Sequence, residues 1–185
     1  MALPIKNLGN NAFMAQFFHQ IDHDRVMNGG PWSFAQNLIT MKTLDPVKNL
    51  RHVELTMVNS WIQVHDLPYG LMSARVARDI GNYVGEFMEA DERNFSGIWR
   101  EYMCIKVRMD VRKPLKRRMQ VKKAGGVWTW ISFRYERLST FCFFCGMLGH
   151  SDKYCRKLFM TPGIIREQFA YGPSMRVDSR KPSTR

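Results

Sequence analysis

Acidic residues are scarce in this chain. Its 185 residues hold 16 Asp and Glu against 28 Lys and Arg, a formal charge of +12. Cysteine is scarce too: there are four, and only Cys104 lies outside one short stretch. A secreted disulfide scaffold needs paired cysteines in an oxidising compartment, and this pattern does not offer them. No apolar run approaches the roughly 20 residues that cross a bilayer, and the start carries no apolar signal-peptide core. An intracellular setting, nucleus or cytoplasm, is therefore expected, with no membrane partner. Catalytic signatures are missing as well. The chain has no nucleophile motif, no Walker-type phosphate loop and no paired carboxylates in an apolar setting. Gly81-Asn-Tyr-Val-Gly85 matches no nucleotide loop. The expectation is a protein that is not an enzyme.

What the chain does have is enough apolar material for a packed core, with 45% hydrophobic residues, 12% aromatics and five tryptophans. Its most specific feature is Cys142-Phe-Phe-Cys145-Gly-Met-Leu-Gly-His150-Ser-Asp-Lys-Tyr-Cys155, a C-x2-C-x4-H-x4-C array. Zinc takes four tetrahedral ligands from thiolate sulfur and imidazole nitrogen, and three plus one are present here. Two residues between Cys142 and Cys145 let both sulfurs face one ion from a tight turn. Gly146 and Gly149 stand where the chain must fold back, since glycine reaches positive φ without steric cost. A thioredoxin-like C-x-x-C would account for the first two cysteines, but not for His150 and Cys155 at closing distance. Zinc bound by Cys142, Cys145, His150 and Cys155 is the expectation.

The positive charge is not spread evenly. Lys106, Arg108, Arg112, Lys113, Lys116, Arg117, Arg118, Lys122 and Lys123 fall in one stretch interrupted by a single acid, Asp110. Arg134, Arg137, Lys153, Arg156 and Lys157 then flank or enter the cysteine–histidine array. Cations gathered beside a small metal loop favour a polyanion partner, because each neutralised phosphate releases condensed counterions.

Local patterns indicate a mixed α+β chain. Pro4 to Leu8 and Ala12 to Phe18 read as short strands around a Gly9-Asn10-Asn11 turn, and Asp22 reads as the cap of a helix through Met27. Trp32 and Phe34 open an apolar run reaching Met41. Trp61 to His65 alternates as a strand and stops at Leu67-Pro68. Ser73 reads as the cap of a helix through Val84, with Val76, Ala77, Ile80 and Val84 on one face. Phe87 to Ala90 is a short strand. Trp99 to Val111 is a long one, with an apolar face and a mostly polar face (Tyr102, Cys104, Lys106, Arg108, Asp110) that meets water or a ligand. Lys116 to Lys123 has a strand-like centre, Gly125-Gly126 turns, and Val127 to Tyr135 returns as a strand. Cys104 reads as a packing residue, and His19, His23, Asp22 and Asp24 as solvated polar groups at a helix entry. The Pro-, Ser- and Arg-rich stretch from Gly172 to Arg185 reads as a disordered basic tail.

These motifs resemble known families. The array resembles the CCHC zinc knuckle of retroviral nucleocapsid proteins and related retrotransposon proteins. Upstream, Asp24-Arg-Val26, Gly29-Gly-Pro-Trp-Ser-Phe34, Trp61-Ile-Gln-Val-His-Asp-Leu-Pro68, Ile80-Gly81 and Gly85 resemble a plant family, the domain of unknown function 4283. That domain precedes such a knuckle in LINE-type retrotransposon-derived proteins. Arg108-Met-Asp-Val-Arg-Lys-Pro-Leu115 and Tyr135-Glu-Arg-Leu138 running into Phe141-Cys142 extend the match to about Phe159. The resemblance implies degenerate RNA-recognition-like β/α sub-units followed by the knuckle. Residues 1–52 would be a partial, N-terminally truncated unit, lacking a first strand and helix before Pro4. Residues 53–138 would be a second α+β unit with the basic segment, 139–159 the knuckle, and 160–185 the basic, disordered tail. Ser151 and Asp152 depart from the retroviral pattern, which often has an apolar residue just after the histidine.

The expected function is zinc-dependent binding of single-stranded RNA or DNA. Phe143 would stack on a base, while Lys153, Arg156, Lys157 and Lys116, Arg117, Arg118, Lys122 and Lys123 would contact phosphates. The competing reading is a protein-interaction adaptor in which the knuckle is a structural clip, with self-association left open as a further partnership.

Overall fold

The computed structural model of the chain describes residues 3–45, 53–96, 101–122 and 124–177. Contacts divide the chain into two compact units, Met1–Gly30 and Pro31–Arg185. In the first unit, β1 (Ile5–Gly9) and β2 (Ala12–Ala15) form an antiparallel hairpin, followed by α1 (Gln20–Asn28). Asn10 and Asn11 make the turn at φ 50° and 57°, a conformation asparagine tolerates better than most side chains. The helix begins three residues earlier than a cap at Asp22 would place it; His19 holds the cap position and Asp22 lies in the first turn. No described residue up to Gly30 is buried, and Ile5, Phe13 and Ile21 are all exposed.

The second unit opens with a hairpin, β3 (Trp32–Phe34) and β4 (Asn37–Ile39). Its turn breaks the apolar run that the sequence suggested was continuous. Ala35 and Gln36 sit at φ 47° and 63°, and the Gln36 carbonyl accepts a hydrogen bond from the Thr140 amide at 2.9 Å. A long-range bond therefore helps to hold a backbone shape that local preference disfavours.

The body of the unit is a five-stranded antiparallel sheet, with β5 (Met57–His65), β6 (Glu86–Ala90), β7 (Tyr102–Asp110), β8 (Arg118–Val121) and β9 (Thr129–Tyr135) in the order β6-β7-β5-β9-β8. The helix α2 (Ala74–Val84) lies against β6 and β7. The Ser73 hydroxyl caps it by accepting from the Val76 amide, as the sequence indicates. Strand alternation sends Ile62, Val64, Met103, Ile105, Val107, Ile131, Phe133 and Tyr135 to one face, where all are 0–1% exposed with Ala77 and Ile80 of α2. That face is the core. At its edge the Tyr135 hydroxyl donates to the Lys116 carbonyl at 2.7 Å, tying the basic segment down.

The opposite face carries Trp61, Gln63, His65, Cys104, Lys106 and Arg134. The expectation that its β7 positions meet water or a ligand holds only at the strand's ends. Lys106 is 5% and Cys104 6% exposed. The Lys106 ammonium lies 2.9 Å from Glu89 Oε1 and 5.5 Å from the centre of the Trp61 ring. A buried cation must be paired, and here a neighbouring strand and an indole provide for it.

Asn94 closes the end of this sheet. Its Nδ2 donates to the Cys104 carbonyl at 2.7 Å and its Oδ1 accepts from the Cys104 amide at 2.9 Å. The Asp91 amide also donates to the Cys104 carbonyl at 3.0 Å, so Asn94→Ala should strip the Cys104 amide of this buried bond and cost about 1–3 kcal/mol. Urea unfolding of wild type and variant measures it.

Candidate metal centre

The zinc ligands are positioned by a loop built on backbone hydrogen bonds. The Gly146 amide donates to the Cys142 carbonyl and the Cys142 amide to the Met147 carbonyl, both at 2.9 Å. Phe141 and Leu148 pair as an isolated antiparallel bridge, which turns the chain so that His150 comes back over Cys145. Cys145 Sγ lies 3.4 Å from His150 Nε2. A tight turn then brings in Cys155, whose amide donates to the Asp152 carbonyl at 3.1 Å, and α3 (Arg156–Phe159) follows at once.

The four donor atoms lie within 4.8 Å of one another. In a zinc tetrahedron with bonds of 2.0–2.3 Å, ligand atoms stand roughly 3.5–3.8 Å apart, so the donors are already gathered on the scale the ion requires. Cys142 and Cys155 are buried while Cys145 and His150 are half-buried. Burial pushes the Cys142 thiol up to about 12. Burial also acts to raise Cys155, but hydrogen bonds from His150 and the Leu158 amide outweigh it and bring the thiol down to about 7. A dry cluster of three sulfurs holds thiolates readily only around a cation, and this donor set fits zinc. Among the described residues it is the one grouping of three or more His, Cys, Asp or Glu that could hold a metal.

The loop is docked on the sheet. The Leu115 amide donates to the Gly146 carbonyl at 2.9 Å, and Leu115 and Phe141 join the core. Gly146 sits at φ +74°, and a Cβ there would run into the Tyr171 ring. Tyr171 belongs to the segment expected to lead into a disordered tail, and that expectation fails for the described residues as far as Val177. The Tyr171 amide donates to the Phe143 carbonyl at 3.1 Å, and Phe169 meets Phe144 edge-on at 5.5 Å. Arg166 pairs with Asp152 at 2.5 Å. Met175 is 4% exposed, and the Val177 amide donates to the Tyr135 carbonyl at 3.2 Å. Aromatic and apolar contacts outweigh the tail-like composition there. Residues 178–185 of that expected tail lie outside the described residues.

Of the expected nucleic-acid contacts, Lys153, Arg156 and Lys157 are exposed beside the metal loop. Phe143 is half-buried, with its ring 5.0 Å from that of Phe141. Tyr154 and Phe159, on either side of Cys155, are 77% and 70% exposed. The alternation of aromatic and basic residues from Lys153 to Phe159 was the available signal for them. The basic segment is divided in its roles. Lys116 lies 5.1 Å from the Tyr83 ring centre. Arg117 Nη1 donates to the Ala170 carbonyl at 2.7 Å. Arg118 and Lys122 lie over Trp130 and Trp128, and Lys123 lies outside the described residues.

Comparison with known proteins agrees with this geometry. A family model described as a zinc knuckle matches residues 109–157, which include all four ligands and the β8–β9 hairpin. An uncharacterized protein of Arabidopsis thaliana is 24% identical over 135 residues, covering 73% of this chain and 42% of that protein. The chain thus spans under half the length of that relative. No solved structure matches it. Residues 142–155 are a CCHC zinc knuckle, and the chain is zinc-binding. No helix among the described residues is long and apolar enough to cross a membrane.

Two outcomes follow from the site. Below pH 7 the zinc-free loop keeps protons on Cys142 and Cys155, and zinc must displace both. Above pH 7 Cys155 is already a thiolate, so apparent zinc affinity should rise with pH and rise less steeply past neutrality. Competition with a chromogenic chelator from pH 6 to 8 reads this slope. Gly146→Ala forces an L side chain into a left-handed conformation costing roughly 1–2 kcal/mol, and also meets Tyr171. Zinc affinity and unfolding free energy should both fall. The double variant Gly146→Ala/Tyr171→Ala should recover only the part due to the clash.

Proposed function

We propose that this is a non-catalytic protein that binds single-stranded RNA or DNA through its zinc knuckle. The observation that carries the reading is the surface beside the last ligand. There, Tyr154 and Phe159 are exposed among the cations Lys153, Arg156 and Lys157. Exposed rings accept bases of any sequence by stacking, and adjacent cations track the phosphates. Metal and surface are coupled through backbone: the Phe159 amide donates to the Cys155 carbonyl at 3.2 Å, and the Tyr154 amide to the Ser151 carbonyl at 3.0 Å. Removing zinc would release both rings. Phe143 remains a contributor in this reading through whatever edge its packing on Phe141 leaves open.

The strand order supports an RNA-recognition-like reading of residues 53–138. Taking β5, β6, β7 and β9 as strands one to four, α2 follows the first strand and the order is 2-3-1-4, as in the β-α-β-β-α-β pattern. Where that pattern has its second helix, this chain has β8. Membership of the domain of unknown function 4283 and a LINE-type retrotransposon origin belong to the same proposal and rest on the upstream motifs. A second reading, the knuckle as a clip within a protein-interaction adaptor, draws on the docking of Gly146 against Leu115 and Tyr171.

Anisotropy titrations of zinc-loaded protein with labelled single-stranded RNA and DNA test the choice. Chelation, or Cys145→Ser, should weaken binding by at least about fivefold, the loss of one stacked base at 1–3 kcal/mol. Added salt should lower log affinity by about 0.7 per phosphate neutralised for each tenfold step in concentration. Binding that survives both chelation and Cys145→Ser unchanged removes the knuckle as the binding site and leaves the clip.

A further inference from the structure

We infer that the β8–β9 hairpin is a second contact site for single-stranded nucleic acid. Trp128 and Trp130 take successive bases there, and Arg118 and Lys122 take the phosphates beside them. The inference rests on the nucleic-acid reading above but uses a different surface. The two indoles are 64% and 48% exposed, a large apolar area to leave in water on a chain with a well-filled core. Trp130 lies in β9, and Trp128 directly precedes that strand, whose first residue is Thr129. Gln120 lies opposite Trp130 and Arg118 opposite Ser132, so Arg118 and Gln120 share the side of the hairpin that carries Trp130, and Lys122 directly follows the last residue of β8.

Each exposed ring meets a cation. The Arg118 guanidinium lies 4.1 Å from the Trp130 ring centre and the Lys122 ammonium 5.8 Å from that of Trp128. Among the described residues neither cation meets a carboxylate, and no acid occurs between Asp110 and Glu136 in the whole sequence. An apolar surface made for a protein core would not be paired with uncompensated charge of one sign. A polyanion with flat faces satisfies both halves of the surface.

Exposed rings select a single strand. Stacking on an indole needs the open face of an unpaired base, which a single strand offers and a duplex, with its bases already stacked about 3.4 Å apart, does not. Each ring stays about half or more exposed with its cation in place.

The test uses the zinc-loaded full chain with labelled twelve-nucleotide oligo-dT and oligo-rU and a duplex of the same length. Trp128→Ala/Trp130→Ala should weaken single-strand binding by roughly 30-fold or more, with zinc content and circular dichroism unchanged. Trp128→Phe/Trp130→Phe should keep most of the affinity, yet lose the fluorescence quenching that the oligonucleotide causes in wild type. Arg118→Gln/Lys122→Gln should reduce the salt slope by about 1.4, or 0.7 per phosphate contact. If the alanine pair binds like wild type while chelation abolishes binding, the hairpin site is wrong and the knuckle reading stands. If the alanine pair loses binding and chelation changes nothing, the hairpin stands and the knuckle reading falls. Duplex bound as tightly as single strand overturns the stacking assignment. Wild type that binds neither oligonucleotide overturns both readings.

Discussion

Gly146 has no side chain, and three segments meet on it. Its amide closes the turn between the first two zinc ligands by donating to Cys142, and its carbonyl accepts from Leu115 at the end of the basic segment. The space where a Cβ would stand is filled by the Tyr171 ring. The metal loop, the sheet edge and the returning C-terminal segment are therefore fastened at one backbone position. Two of these links are hydrogen bonds between groups that are costly to leave unpaired once buried. Zinc binding and the docking of residues 165–177 accordingly support each other, so the metal's free energy reaches beyond its own fourteen-residue loop.

The sheet supplies the rigidity on which this depends. One face is closed by α2 and by branched and aromatic side chains that exclude water almost completely. The other face is polar along its centre, yet it is not open everywhere: Lys106, Cys104 and Gln63 are covered, Glu86 and Glu89 are exposed on β6, and the exposed cations Arg118 and Lys122 lie at the β8 edge. The cations most free to meet a ligand are those at the sheet edge and beside the knuckle. The zinc-knuckle family match, which begins at Met109 and ends at Lys157, contains both.

The zinc site was legible because its four ligands lie close together in sequence, so spacing alone carries the geometry. The helix α2 was legible for a similar reason, since Ser73 and the Val76–Ala77–Ile80–Val84 stripe act within one element. What escaped depends on distant partners. Lys106 alternates as a solvent-facing residue and is buried only because Glu89 and Trp61 come from other strands. The turn at Ala35–Gln36 has none of the residues that favour positive φ, and Gln36 is engaged by Thr140, over a hundred residues away. The stretch from Ile165 to Val177 has a tail's composition and acquires its order from Tyr135, Phe143 and Gly146. Trp130 was legible as a strand residue, whereas the strand begins at Thr129 and leaves Trp128 just before it; the exposure of neither was legible, because nothing local says that β8 ends the sheet.

The hairpin also bears on how affinity would be divided. A cation resting on an exposed indole contributes about 0.5–1 kcal/mol in free solution, enough to bias both side chains toward one arrangement before any ligand arrives. Ordering long side chains on binding costs about 0.5–1.5 kcal/mol each, so this prior arrangement recovers part of that cost for Arg118 and Lys122. At the knuckle the metal has the same effect on Tyr154 and Phe159 by fixing the backbone on either side of Cys155. In the proposed reading both surfaces are thus held in shape by something other than the ligand. Because both lie in the Pro31–Arg185 unit, a strand engaged at one would meet the other at raised effective concentration, provided it is long enough to span them.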